Sequence, residues 1–223
     1  MLKESDNLGV ITPRTEVEPV DLPAHTSKRV LDLSLGAVAL AVSAPILISV
    51  AIVSRAAGER GPFFHRASRV GRDGHLFTLW KIRTMTVGTE GLAVTSSGDN
   101  RVTRVGRVLR RYKIDELPQL WNVVRGEMSL VGPRPEDQRF VDWTDPLHRK
   151  VFTAKPGITG LAQLEFSAEE ALLVAGDPER VYREEILPTK LLLDSYYLDN
   201  QTTRLDLQIL GRTLAAVLHP RRR

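Results

Sequence analysis

One long uncharged segment constrains this chain more than any other feature. It runs from Leu33 to Ser54, and none of its 22 residues is Asp, Glu, Lys or Arg. About 20 apolar residues are enough to cross the hydrocarbon core of a bilayer. Pro45 lies near the middle, where it removes one backbone donor and clashes with the carbonyl four residues earlier. The segment therefore predicts a membrane helix that is broken or kinked at Pro45.

Basic residues flank this segment on both sides. They are Lys28 and Arg29 before it, and Arg55 and Arg60 after it. Because membrane-flanking Lys and Arg mark the cytoplasmic side, both ends are expected to face the cytoplasm. A helix broken at Pro45 enters and leaves by the same face, and the Ser43 hydroxyl can satisfy a backbone group freed there. We expect this re-entrant course; a spanning helix with a tolerated proline kink is the alternative.

The composition is that of a folded domain with anionic partners. The 223 residues are 42% hydrophobic and 26% charged, and the formal net charge of +4 favours phosphates or acidic head groups. Cysteine is absent, which excludes disulfides and thiolate metal sites. We expect a flexible tail at residues 1–27, a re-entrant membrane segment at 28–57 and a cytoplasmic domain at 58–223.

The local patterns predict an α+β fold that is mostly helical, with one short β-hairpin and interfacial amphipathic helices. Residues 71–74 form the expected hairpin turn, and 75–82 alternate as a strand. Helices are expected at 103–112, 115–126, 168–175, 188–198 and 205–218, and rigid turns at 129–135 and 156–160. The helix at 103–112 carries arginines beside its apolar residues, which favours a membrane interface; a solvated basic face is the alternative.

Two adjacent carboxylates, Asp115 and Glu116, follow a cluster of cations that includes Arg110, Arg111 and Lys113. Such cations keep a carboxylate ionised, as a nucleophile toward phosphorus or a Mg²⁺ ligand must be. The structural alternative is that Asp115 caps the following helix. Both interpretations remain open from these residues alone.

Arg134 lies between Pro133 and Pro135. The two rings restrict the local backbone, which would aim the guanidinium at a phosphate with little loss of entropy. A purely structural turn is the alternative.

Several ordered motifs extend over most of the chain. They are Lys28-Arg29 with Asp32, Gly61-Pro62, 81–85 (KIRTM), 103–106 (TRVG), 115–120 (DELPQL) with Asn122, 128–135 (MSLVGPRP), 156–160 (PGITG) with Ala162-Gln163, and Leu193-Asp194 with Tyr197. From Lys28 to Leu218 the chain resembles the bacterial sugar transferases that start polysaccharide and glycoconjugate assembly, the small monotopic polyprenyl-phosphate phosphoglycosyl transferases.

The resemblance implies a two-step reaction. Asp115 would attack a UDP-sugar and release UMP, and the phosphosugar would then pass from this aspartate to a polyprenyl (undecaprenyl) phosphate. Asp115 and Glu116 would be the catalytic pair and the ligands of Mg²⁺. Lys81, Arg83, Arg110 and Arg134 would bind the substrate phosphates.

The resemblance also implies supporting residues and a location. Gln119, Thr159 and Gln163 would make nucleotide or supporting contacts. The protein would lie among phospholipids at the cytoplasmic face of the bacterial inner membrane, with a homodimer as one option for its oligomeric state.

Two departures from the family pattern are visible. Ala44 stands where the family usually has serine before the proline, and Ser167 lies where an arginine of a Gly-Arg-Asn motif is common. A nucleic-acid binder is disfavoured because only 6% of the residues are aromatic. The remaining alternative is a non-catalytic membrane scaffold of a glycan assembly complex.

Overall fold

The structure is a computed structural model that describes residues 25–88, 99–167, 169, 173 and 177–219. Within these residues it is a mostly helical α+β fold, as the sequence predicts. The helices are α1 (His25–Ala56), α2 (Arg104–Arg111), α3 (Gln119–Arg125), α4 (Pro146–Val151), α5 (Leu161–Glu165), α6 (Pro178–Val181), α7 (Leu187–Asp199) and α8 (Thr203–Leu218). The strands are β1 (Phe64–Val70), β2 (Leu76–Ile82), β3 (Ser129–Val131) and β4 (Gly157–Thr159). The helix expected at 168–175 falls mostly outside the described residues.

Helix α1 contains the whole uncharged segment. Among the described residues it is the one helix long and apolar enough to cross a membrane, and only 11% of its most apolar stretch is buried. A core helix of a soluble protein would be mostly buried, so α1 has a different environment. The helix is continuous through Pro45 and is not divided into two helices. Ser43 donates its hydroxyl to the carbonyl of Leu40 at 2.8 Å, and the re-entrant course remains a prediction.

Polar side chains attach the first turns of α1 to the rest of the protein. Lys28 Nζ lies 2.7 Å from Asp206 Oδ2 on α8, and Arg29 donates to carbonyls in the last turn of α3 at 2.7 and 2.9 Å. The buried Asp32 accepts a 2.9 Å hydrogen bond from the backbone N–H of Leu130. The helix is thus anchored just before its uncharged segment begins.

Strands β1 and β2 form the predicted antiparallel hairpin, with Phe64 opposite Ile82. Asn122 of α3 is fully buried and joins this hairpin to the core. Its amide donates to the Thr78 carbonyl at 2.7 Å, and its carbonyl accepts from the Trp80 N–H at 3.2 Å. One buried amide thereby holds α3 in register with β2, which carries Lys81.

The prediction of two separate rigid turns was wrong in part, because their first residues pair as strands. Ser129 lies opposite Gly157 and Val131 opposite Thr159 in a short parallel pair. A Cβ on Gly157 would overlap the backbone of Gly132, so only glycine permits this approach. Each strand has three residues, too few to show strand periodicity in the sequence.

Gly106 on α2 packs directly on the backbone of Thr84, and a Cβ at this position would overlap the Thr84 carbonyl oxygen. We expect Gly106→Ala to destabilise the protein by about 1–3 kcal/mol, because the crowded backbone must move. Urea unfolding measures the change. Gly211→Ala on α8 is the matched control: its added methyl group meets open space, so it should be neutral or stabilise by up to about 1 kcal/mol. Equal effects of the two substitutions would contradict the prediction.

Candidate active site

The acidic pair lies in a tight turn between α2 and α3. Lys113 adopts the left-handed conformation at φ 55°, and a single 3₁₀ turn, Ile114–Glu116, follows it. Left-handed backbone is uncommon for residues other than glycine, so this position reverses the chain at some cost in strain. The reversal directs Asp115 inward, where only 7% of the residue is exposed.

The proposal that Asp115 only caps a helix is wrong. Helix α3 begins at Gln119 after Pro118, and no side chain caps its N-terminus. Asp115 Oδ1 is buried and has no hydrogen-bond partner among the described residues. Such an oxygen costs free energy, so a carboxylate in this position is typical of a functional site.

Cations surround Glu116. Lys81 Nζ, near the end of β2, lies 3.7 Å from Glu116 Oε1. Burial alone would raise the pKa of Glu116, but the charges of Lys81, Lys113 and Arg134 outweigh this effect and hold it at about 2. Glu116 is therefore ionised at neutral pH, as a metal-binding carboxylate must be.

The pKa of Asp115 is shifted in the opposite direction. Burial and the neighbouring charge of Glu116 raise its pKa, although Lys81, Lys113 and Arg110 oppose the shift. The two adjacent carboxyl groups therefore differ in their electrostatic environment, a pattern found where acidic side chains have distinct chemical roles. When Asp115 is ionised it is poorly solvated, which favours its reaction with an electrophile.

Three of the four predicted phosphate-binding cations, Lys81, Arg110 and Arg134, gather around the acidic pair. Arg110 Nε donates to Thr84 Oγ1 at 2.9 Å, and its charge acts on Asp115. The fourth cation, Arg83, is directed toward the segment that follows α1, where its Nε donates to the Pro62 carbonyl at 2.9 Å.

The three predicted nucleotide or supporting residues lie in different places. Gln119 is buried in the first turn of α3, directly after the acidic turn. Thr159 lies on β4 with its hydroxyl 2.6 Å from that of Thr213 on α8. Gln163 on α5 donates to the Gly132 carbonyl at 3.3 Å. The last two therefore have structural contacts around the parallel strand pair.

Sequence reasoning missed a buried ionic layer behind Arg134. The Tyr182 hydroxyl donates to the Glu136 carboxylate, lying 2.8 Å from each oxygen, and Lys190 Nζ contacts both Tyr182 and the Glu169 carboxylate. The charges of Glu116, Glu169 and Glu136 raise the pKa of Arg134 despite its burial. Positions 182, 186, 190 and 194 recur every four residues beside buried apolar positions, and this spacing could have identified the layer.

Asp194 belongs to the same layer and provides a pH test. Its Oδ2 accepts a 3.4 Å hydrogen bond from the backbone N–H of Arg134, and burial raises the pKa of Asp194 from its ordinary value of 3.8 to about 8. Between these pH values the folded protein retains a proton that the unfolded chain releases. This group therefore lowers the free energy of unfolding as the pH rises from 4 to 8.

We expect Asp194→Asn to remove this dependence. The free energy of unfolding of the variant, relative to that of the wild type, should therefore increase between pH 5 and pH 8. Urea unfolding at several pH values measures the difference. Asp199→Asn, at an exposed position on the same helix, should show no such trend. Parallel stability curves for Asp194→Asn and the wild type would contradict the assignment.

The acidic pair is also the best candidate for a metal centre. No group of three or more His, Asp or Glu side chains converges on one point within the described part of the chain. Mg²⁺ commonly uses one or two protein carboxylates and completes its shell with water and substrate phosphates. Asp115, with its unpartnered oxygen, and the ionised Glu116 fit such a site.

The structure combines a helix apolar enough to cross a membrane with an acidic pair that is surrounded by cations. A family model described as "Bacterial sugar transferase" matches residues 23–220. This protein therefore belongs to the bacterial sugar transferase family.

Three similar proteins have names that refer to the transfer of a sugar or a sugar phosphate. It is 39% identical over 196 residues to the UDP-glucose:undecaprenyl-phosphate glucose-1-phosphate transferase of Caulobacter vibrioides, covering 86% of this chain and 69% of the relative. It is 34% identical to the UDP-N-acetylgalactosamine-undecaprenyl-phosphate N-acetylgalactosaminephosphotransferase of Aeromonas hydrophila, covering 86% of this chain but only 43% of that relative. It is 36% identical to the uncharacterized sugar transferase EpsL of Bacillus subtilis, covering 86% and 87% of the two chains.

Proposed function

We propose that this protein transfers a sugar 1-phosphate from a UDP-sugar to undecaprenyl phosphate and releases UMP, the first step of a bacterial polysaccharide or glycoconjugate. The observation that carries the proposal is the buried carboxylate of Asp115, whose Oδ1 has no hydrogen-bond partner among the described residues, beside an ionised Glu116 and a cluster of cations. The names of the relatives support the two substrates.

In the first step an Asp115 oxygen attacks the phosphorus that bears the sugar. The bond from this phosphorus to the oxygen it shares with the second phosphate breaks, and the electron pair leaves with UMP. A covalent aspartyl-phosphosugar remains. Lys81, Arg110 and Arg134 neutralise the charge that accumulates on the phosphoryl oxygens, which is the main requirement of phosphoryl transfer.

In the second step a phosphate oxygen of undecaprenyl phosphate attacks the same phosphorus. The bond to Asp115 breaks, its carboxylate is regenerated, and an undecaprenyl diphosphate sugar is formed. Neither step requires a proton donor, which agrees with a site built from cations rather than histidines. Mg²⁺ bound by Asp115 and Glu116 would neutralise further negative charge on the diphosphate.

We further propose that α1 is re-entrant, so that it enters the membrane and leaves it by the same face. A straight helix of 32 residues would be about 48 Å long, yet both of its ends adjoin one domain. Arg29 ties its start to α3, and Pro62, six residues after its end at Ala56, accepts a hydrogen bond from Arg83 beside β2. A bend at Pro45 would reconcile these attachments.

Cysteine labelling tests this course, since the chain contains no cysteine of its own. With Ser5→Cys or Pro220→Cys in intact cells, we expect no reaction with a membrane-impermeant maleimide, and full reaction in inside-out vesicles. Labelling of residue 5 but not residue 220 in intact cells would show that α1 spans the membrane.

The function itself is tested by measuring UMP release from a panel of UDP-sugars, with and without undecaprenyl phosphate and Mg²⁺. We expect release with at least one sugar and formation of a lipid-linked product only when the lipid phosphate is present. Absence of turnover with every UDP-sugar, in folded protein, would favour the non-catalytic scaffold.

A further inference from the structure

An open groove outside the acidic pair runs along the outer edge of β1. It has a volume of about 630 Å³, which lies within the usual range of small-molecule sites. The 137–139 segment forms its other wall. The residues that line the groove include His65, Arg66, Ser68, Arg69, Asp137 and Arg139.

The groove is strongly cationic, and the carboxylate of Asp137 holds two of its arginines in place. Asp137 accepts hydrogen bonds from Arg69 at 2.7 Å and from Arg139 at 3.0 Å. Arg66 also lines the groove, with its guanidinium 5.4 Å from the Trp80 ring centre. A single shared carboxylate cannot neutralise three arginines, so the groove favours an anion.

Two chain segments connect the groove to the surroundings of the acidic pair. His65 lies directly opposite Lys81 in the hairpin, so the two side chains share one face of the sheet. Lys81 in turn pairs with Glu116. On the other wall, Asp137 follows Arg134 by three residues, and Arg134 lies among the charges that act on Glu116.

Backbone groups add hydrogen-bonding capacity to the groove. Val70 donates its N–H outward from β1 to the Glu136 carbonyl at 3.0 Å. Because backbone groups alternate in direction along a strand, the N–H of Ser68 is also directed away from β2 and toward the groove. A planar ring with donors and acceptors on one edge could pair with such a strand edge.

The lining distinguishes between the two substrates of the proposed reaction. Among the lining residues only Ala67 has an apolar side chain and three are arginines, so the groove suits a charged, water-soluble ligand better than a polyprenyl chain. The water-soluble donor is the better match. Its nucleotide leaves on the side opposite the attacking Asp115 oxygen, and therefore needs a cationic site next to the acidic pair.

We propose that this groove holds the nucleoside monophosphate half of the sugar donor, with Arg69 and Arg139 at its phosphate and His65 beside its junction with the acidic pair. The assignment rests on the proposed function. It also supplies cations on the β1 side of the site.

The test is UMP binding to the purified full-length protein by calorimetry, with donor kinetics in parallel. His65→Gln combined with Arg139→Gln alters two exposed side chains and leaves the Arg69–Asp137 pair intact. We expect the Kd for UMP and the KM for the UDP-sugar each to rise about tenfold or more, while the KM for undecaprenyl phosphate is unchanged. Arg180→Gln, at an exposed position on α6, is the matched control and should change none of these values.

Unchanged UMP affinity in the double variant would overturn the proposal. So would an increased KM for the lipid phosphate with unchanged UMP affinity, which would assign the groove to the acceptor. Because the calorimetric measurement needs no turnover, the two proposals can fail separately. If the wild-type protein binds UMP but transfers no sugar phosphate, and the double variant loses UMP binding, the groove assignment is supported. Only the proposed reaction is then overturned.

Discussion

Asp115→Asn is expected to reduce UMP release by about 10³-fold or more, because the amide oxygen cannot form the covalent bond to phosphorus. The same substitution should leave thermal stability equal or higher. Burial raises the pKa of Asp115, so the folded protein holds this carboxylate in an unfavourable environment that a neutral amide relieves. Initial rates with a UDP-sugar and a thermal melt measure the two effects.

The combination of lost activity and retained stability is what distinguishes a nucleophile from a structural residue. Asp73→Asn, at an exposed position in the hairpin turn, is the matched control and should change neither quantity. Robust turnover by Asp115→Asn would remove this residue from the nucleophile role. A large loss of stability would instead indicate a structural role.

Lys190→Met is expected to lower the free energy of unfolding by about 3–5 kcal/mol, because it leaves buried acidic groups without their cation. Lys190 is 2% exposed, and its Nζ contacts Glu169 and donates to the Tyr182 hydroxyl at 3.3 Å. Methionine retains much of the side-chain volume. The decrease in the free energy of unfolding therefore measures the effect of removing the charge rather than that of creating a cavity. Urea unfolding at pH 7 measures it.

Two further variants check this explanation. Lys150→Met removes an exposed ion pair with Asp199 and should cost less than about 1 kcal/mol. Adding Glu169→Gln to Lys190→Met should recover part of the loss, because one unpaired charge is then removed. Similar losses for Lys150→Met and Lys190→Met would show that the buried layer contributes little to stability.

Much of the fold was predictable because its signals are local. The hairpin follows from strand alternation around the turn at 71–74, and α2, α7 and α8 follow from helical periodicity. Gly126 ends α3 in the left-handed conformation, where the sequence places the end of that helix. The family motifs also identified Asp115, Glu116 and Lys81, which the structure brings together.

Other features depend on segments that are distant in sequence. The parallel pairing of β3 with β4 joins residues 28 positions apart, and the ionic layer joins Glu136 to Lys190 through Tyr182. The groove beside β1 requires the 137–139 segment to lie against the hairpin edge. No local sequence pattern specifies such contacts between distant segments.

The sequence by itself determined where the long apolar helix lies, how most segments fold locally and which residues are candidates for the chemistry. These properties follow from uncharged length, from periodicity and from residue type. Only the tertiary structure decided that Asp115 is buried, with no hydrogen-bond partner for its Oδ1 in the described part of the chain, while Glu116 is ionised beside it. The reason is physical: the state of a carboxyl group depends on its solvation and on neighbouring charges, and folding alone determines both.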